Sequence, residues 1–202
     1  MIIRILMFLI IPIFLHAQNA DEVIKNLQDK FATIKNLKSN FSQTIYSTQS
    51  IQPINFEGKF YYKKENSFSI AMPDRDIISD GVSIWNYDRQ QKKVVISTSD
   101  SDNTTFSLND IIYLYPEKCD LSLLKTQEIN FIVKAVPNDV ALTFKEAYLT
   151  ISKNFILNKI EIIDFNNIKY TFQLFDIKIN TDISDTMFNF VPSVEVEVID
   201  LR

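Results

Sequence analysis

"FEGKFYYKKENSFSIAMPDRDIISDGVSIWNYD", residues 56–88, is the stretch whose reading decides the fold class. Phe56, Gly58, Phe60 and Tyr62 fall on one face of a first strand, and Phe68, Ile70 and Met72 on one face of a second. A side-chain period of two marks half-buried strand, because successive residues of an extended chain point to opposite faces. Pro73-Asp74 and Asp80-Gly81 punctuate the runs as turns. Gly81 is one of only two glycines among 202 residues, and it lies four residues before the only tryptophan, Trp85. An Asp-Gly pair between two short apolar runs predicts a hairpin turn, with Gly81 kept for a positive φ.

The same alternation extends both ways. Upstream stands "NFSQTIYSTQ"; downstream stand "KKVVIST", "EINFIVKAV", "VALTFKE", "AYLTISK", "LNKIEIIDF" and "IKYTFQLFDIKI", and the tail "DTMFNFVPSVEVEVID" adds a last alternating run. That predicts about ten or eleven antiparallel strands. Two segments depart from period two. In "NADEVIKNLQDKFATIKNLKS", Val23, Leu27, Phe31, Ile34 and Leu37 recur at steps of three and four, the stripe of an amphipathic helix, and Asn19 with Glu22 resembles a capping box. In "FSLNDIIYLYPEK", Leu108, Ile111, Ile112 and Tyr115 have helical spacing, after the polar stretch from Ser99 to Thr105. A short apolar helix in that place is either a buried packing element or a movable cover. No linker, repeat or charge block divides the chain, so one mainly β domain with a few helices on one face is expected. A sheet of that size curls, and one helix cannot cover all of its apolar side.

The N-terminus, "MIIRILMFLIIPIFLHAQ", places Arg4 before an apolar run from Ile5 to Leu15 and the small residue Ala17 after it. This is the layout of a secretory leader over residues 1–17, and the run is too short for a bilayer span. Cleavage would remove His16, the chain's single histidine, and with it Ser-His-Asp, Cys-His and His-metal chemistry. The single cysteine, Cys119, has no internal disulfide partner and reads as a buried structural thiol. No nucleophile-elbow, zinc-protease, P-loop or dinucleotide motif is present. A formal charge of −4 without a basic block argues against a nucleic-acid partner.

The ordered series of segments resembles the LolA-type periplasmic carriers of outer-membrane lipoproteins. An amphipathic helix leads into "LKSNFSQTI", and the central signature is matched at Gly58, Lys64, Phe68, Ser79, Asp80, Gly81, Trp85 and Tyr87. "YLTISKNFILNKIEIID" and "MFNFVPSVEVEVID" resemble the family's last strands. The resemblance implies an open, incomplete β-barrel of about 11 strands, covered by the leading helix and a mid-chain lid. Residues 18–202 would form a single carrier domain. It implies an apolar hollow for acyl chains, with candidate walls at Phe31, Phe60, Tyr62, Phe68, Ile70, Met72, Ile77, Trp85, Ile111 and Ile112. Where the family has an arginine that fastens the lid, this chain has Lys64, which keeps the charge without the planar fork; Ile70 stands where an aromatic is common.

The implied function is a periplasmic monomer without enzyme activity, cofactor or metal. It would take acylated lipoproteins from an inner-membrane ABC transporter and pass them to an outer-membrane acceptor or to that membrane itself. Two other readings stand beside it. One is a periplasmic regulatory module of similar fold that senses lipoproteins; the other is an exported hydrolase working through paired carboxylates.

Overall fold

The computed structural model describes residues 19–49, 51–99, 107–124 and 129–202. The expected leader, with His16, and the polar stretch beyond Ser99 lie outside the described residues. A leading helix, α1 (Ala20–Ala32), is followed by β1 (Asn36–Tyr46), β2 (Ile54–Lys63), β3 (Ser67–Ala71), β4 (Arg75–Asp80), β5 (Ser83–Asp88) and β6 (Lys93–Thr98). A mid-chain helix then winds as a π-helix over Asp110–Leu114 and as an α-turn over Tyr115–Glu117. After it come β7 (Cys119–Leu124), β8 (Asn130–Pro137), β9 (Phe144–Ser152), β10 (Leu157–Asp164) and β11 (Lys169–Ile179). A 3₁₀ turn (Asp185–Phe188) and β12 (Glu197–Asp200) form the tail.

The strands make one 12-stranded sheet in the order β12-β6-β5-β4-β3-β2-β1-β11-β10-β9-β8-β7. The chain walks outward from β1 to β6, crosses to the other edge at β7, and walks back until β11 pairs with β1. Because β12 and β7 remain at the edges, the sheet is open rather than a closed barrel. The described pairings are antiparallel except β12 with β6, which is parallel.

Several local details depart from the sequence reading. The helical stripe continues to Leu37, but α1 stops at Ala32, and Leu37 already belongs to β1. The stop is fixed by polar ties: Thr33 Oγ1 donates to the Lys30 carbonyl (2.7 Å), and Lys35 N–H donates to Asn180 Oδ1 (2.7 Å). At the other end Asn19 Oδ1 accepts from Glu22 N–H at 2.8 Å, so the N-cap is as expected. "VALTFKE" is no separate strand. Asp139 draws in the N–H groups of Ala141 and Leu142, so Val140 projects from a loop and one strand, β9, begins at Phe144. "CDLSLL", unread as strand, is β7.

Gly81 has φ +96°, and a Cβ there would lie 2.3 Å from the Glu65 carbonyl oxygen, so both conformation and space call for glycine. Asp80 Oδ1 closes the turn by accepting from Val82 and Ser83 N–H at 2.9 and 2.8 Å. Gly58 answers a different need. A Cβ there would fall 2.2 Å from the Ala71 carbonyl oxygen, where β2 and β3 approach closely.

The register separates two faces. Phe60 pairs with Ile70, which pairs with Ile77, and Tyr62 pairs with Phe68; this row faces α1 and the mid-chain helix. Ile78 pairs with Trp85, which pairs with Ile96; this row faces the other way. The inner face carries the main core, and the outer face carries a small core under the tail.

Candidate functional site

On the inner face α1 presents Val23, Leu27 and Phe31, and Ile34 and Leu37 prolong the stripe beyond the helix. Between this stripe, the mid-chain helix and the β9–β10 turn lies a hollow of about 10 Å³, room for about one water. Leu27, Phe31, Ile34, Leu37, Leu108, Ile112, Phe155, Ile156, Leu157 and Leu174 line it, and none of the ten is polar. Apolar voids of this kind stay dry, and their walls lack contact partners on one side.

The mid-chain helix closes the hollow with few polar ties. Pro116 has no N–H to offer the carbonyl four residues back, that of Ile112, and Gln28 Nε2 donates to this carbonyl at 3.0 Å instead. Tyr113 Oη donates to the Gln28 carbonyl at 3.4 Å. At its C-cap the Lys118 carbonyl accepts from Asn138 N–H at 3.0 Å, and Lys118 Nζ meets the Asp139 carboxylate at 3.1 Å. The rest of the attachment is apolar and aromatic: Phe31 lies 6.1 Å from the Tyr113 ring and 5.1 Å from that of Tyr62, and Tyr115 lies 4.8 Å from Phe144. Burial, with the nearby Tyr113 second, pushes the Tyr62 phenol up to about 12. Burial does the same for Tyr115, also to about 12, with Asp110 and Cys119 adding to it. Both rings are therefore neutral at ordinary pH, as an apolar interior requires. Cys119 is a buried thiol beside this helix, raised to about 11 first by burial and then by Asp120.

At the far wall the β9–β10 turn folds Phe155 inward at φ +57°, a costly conformation for a bulky residue. Its ring stacks on Phe131 at 5.7 Å, and Lys153 Nζ sits 3.9 Å from the Phe131 ring centre.

Of the wall residues expected from sequence, Phe31 and Ile112 border the hollow itself. Phe60, Tyr62, Ile70 and Ile111 lie buried in the same core, and Phe68, Met72 and Ile77 pack against it half-buried. Trp85 does not belong with them. It is one residue out of phase with Ile84 and Asn86, which share the inner parity, and it packs on the outer face with Val94, Ile96, Ile78 and Tyr87. Phe190 and Val196 of the tail cover it, with the Phe190 ring 4.9 Å from Tyr87.

Lys64 also differs from expectation. Its Nζ donates to the Ala32 carbonyl at the C-terminus of α1 (2.7 Å), not to the mid-chain helix. A cation at that end complements the exposed carbonyls of the helix. Wall residues missed by the sequence reading as site residues include Phe155, Ile156, Leu157 and Leu174. A phenylalanine inside the turn "SKNFI" was the available signal.

Among the described residues no cluster of His, Cys, Asp and Glu could hold a metal ion, and no helix is long and apolar enough to cross a membrane.

A family model described as outer membrane lipoprotein carrier protein LolA matches residues 32–191. An outer-membrane lipoprotein carrier protein of Francisella tularensis subsp. novicida is 24% identical over 197 residues, covering 89% of this chain and 88% of that one. One from Haemophilus ducreyi is 24% identical over 187 residues, covering 89% and 85%. Among solved structures, an uncharacterized conserved protein from Thermus thermophilus superposes with TM-score 0.59 at 12% identity, covering 90% of this chain and 98% of that one. MucB superposes with TM-score 0.55 at 10% identity, covering 89% and 65%. At such identities the structural likeness speaks for the fold alone.

Proposed function

This chain belongs to the LolA family of outer membrane lipoprotein carrier proteins, and on that premise we propose that it shelters the acyl chains of lipoproteins and carries them through the periplasm to the outer membrane. In this reading residues 1–17 direct export and are removed, and residues 18–202 form the carrier domain. The cargo comes from an inner-membrane ABC transporter and leaves to an outer-membrane acceptor or to the membrane itself. The protein works as a monomer and catalyses nothing.

The observation that carries the reading is the hollow lined by ten apolar residues beneath a helix that, among the described residues, has two side-chain hydrogen bonds to α1. An acyl chain is a linear apolar ligand that needs length and smoothness rather than directional contacts. Each methylene sheltered from water contributes about 0.8 kcal/mol, so ten contribute roughly 8 kcal/mol. That gain works against the burial of Leu108, Ile111 and Ile112 and a few polar ties, so an acyl chain that replaces the helix's apolar contacts can displace it. Empty, the interior fills with its own side chains; loaded, the mid-chain helix moves and Phe31, Ile112, Tyr62, Phe60, Ile70, Ile111, Phe68, Met72 and Ile77 become wall. The absence of charge on the lining keeps the grip non-specific and reversible, which a carrier must be in order to unload.

The test uses the protein recovered from the periplasm. It should bind a fluorescent acyl probe and release a tagged lipoprotein from inner-membrane spheroplasts into the supernatant. A protein that does neither is not a carrier.

A further inference from the structure

Three neighbouring hairpin tips expose large apolar side chains, and we propose that they form a surface that inserts into a phospholipid bilayer. The sheet order β2-β1-β11-β10-β9-β8 brings the β1–β2, β10–β11 and β8–β9 connections side by side on one rim. Ile51 is 100% exposed on the first, Phe165 is 68% exposed on the second, and Val140 is 103% exposed on the third. Ile54 and Tyr46 stand half-exposed or more at the base of the first. Lys145 Nζ donates to Asn167 Oδ1 at 3.4 Å and ties the second tip to the third. Tips of successive hairpins are two strand spacings apart, roughly 10 Å.

A singly exposed apolar residue is ordinary, but hairpin turns favour Gly, Asn, Asp, Ser and Pro, and here three consecutive turns each put an aliphatic or aromatic group outermost. The occupant is set by charge and shape. Ser47 to Asn55 contains no charged residue. Asp139 is held by Lys118 at 3.1 Å, and Asp164 Oδ1 accepts from Asn166 and Ile168 N–H, so the carboxylates beside the other two tips are already engaged. Farther along the same rim the β3–β4 and β5–β6 turns carry Asp74, Arg75, Asp88 and Arg89, so the uncharged stretch is local. Separate apolar prongs set in polar turns, where Asp139 and Asp164 are tied locally, make no continuous face for a packed protein interface. They do suit the interfacial zone of a bilayer, which takes up apolar side chains one by one and accepts Tyr46 at its polar level. The inference goes beyond carriage, because it assigns a membrane contact outside the hollow and holds whether or not the hollow takes acyl chains.

The experiment is flotation of the purified protein with vesicles of phosphatidylethanolamine and phosphatidylglycerol, and separately of phosphatidylcholine. The protein should float with both kinds at 0.5 M salt. The triple variant Ile51→Ser, Val140→Ser, Phe165→Ser should bind at least about tenfold more weakly. A double variant on the opposite rim, Val82→Ser with Ile129→Ser, should float like the parent. All these positions are exposed, so circular dichroism should be unchanged, and acyl-probe uptake of the triple variant should equal that of the parent. The proposal fails if the parent does not float or binds only anionic vesicles at low salt. It also fails if the triple variant floats equally well, or if the opposite-rim variant loses as much.

Discussion

The β3–β6 half of the sheet packs apolar side chains on both faces, Phe68, Ile70 and Ile77 inward and Ile78, Trp85 and Ile96 outward, yet the two faces are closed in different ways. On the outer face the tail lays Phe190 and Val196 over Trp85 and then joins the sheet as β12, hydrogen-bonded along β6. Lys92 with Glu195 (2.6 Å) and Arg202 Nη1 with Ser83 Oγ (3.1 Å) add further ties. On the inner face, among the described residues, the mid-chain helix shares no ladder with the sheet and is held by Gln28, by ring contacts and, at its C-cap Lys118, by the Asn138 N–H and the Asp139 carboxylate. A cover that shares backbone hydrogen bonds opens only when part of the sheet opens; a cover that rests on apolar contact opens more cheaply. The difference separates a permanent core from a site.

The largest test of that contrast is Trp85→Ala. It removes the centre of the outer cluster and should cost about 3–5 kcal/mol in denaturant unfolding. The acyl-probe affinity of the molecules that remain folded should be unchanged. A selective loss of probe binding at unchanged stability would return Trp85 to the site. Next comes Gln28→Leu, which should lower stability by about 1 kcal/mol and speed probe uptake severalfold in stopped-flow, because the mid-chain helix loses its polar hold. Uptake at the parent rate would mean that this helix is not the gate. The smallest effect is expected from Lys64→Leu. With its Nζ on the end of α1 and not on the cover, the change should lower stability by less than about 1 kcal/mol and leave uptake kinetics alone. Faster uptake would restore Lys64 as a latch.

These contrasts also mark where the sequence was legible. Most of the period-two runs, the helix from Val23 to Phe31 and the Asp80-Gly81 turn each depend on short-range chemistry, and the structure has them as read, although the helix ends at Ala32 and not at Leu37. Alternation fixes the parity of a side chain but not which side of the sheet receives the helices. For that reason Phe60 and Tyr62 could be grouped correctly while Trp85, three strands away and of opposite parity, was placed on the wrong face. The parallel pairing of β12 was hidden for a similar reason: "EVEVID" announces a strand but not its neighbour. Lys64 was identified as a tie, yet its acceptor is a backbone carbonyl that no residue type announces. Phe155 was passed over because its importance comes from a positive φ that turns it inward.

The most direct test of the central claim is to let a photoactivatable acyl probe bind the protein, irradiate, and map the labelled residues by mass spectrometry. The account predicts adducts on the inner face, at Leu27, Phe31, Leu108, Ile112 and Phe155, and none on Trp85, Tyr87 or Phe190. Labelling of the outer cluster instead, or no labelling of the inner residues by a probe that binds, would contradict it.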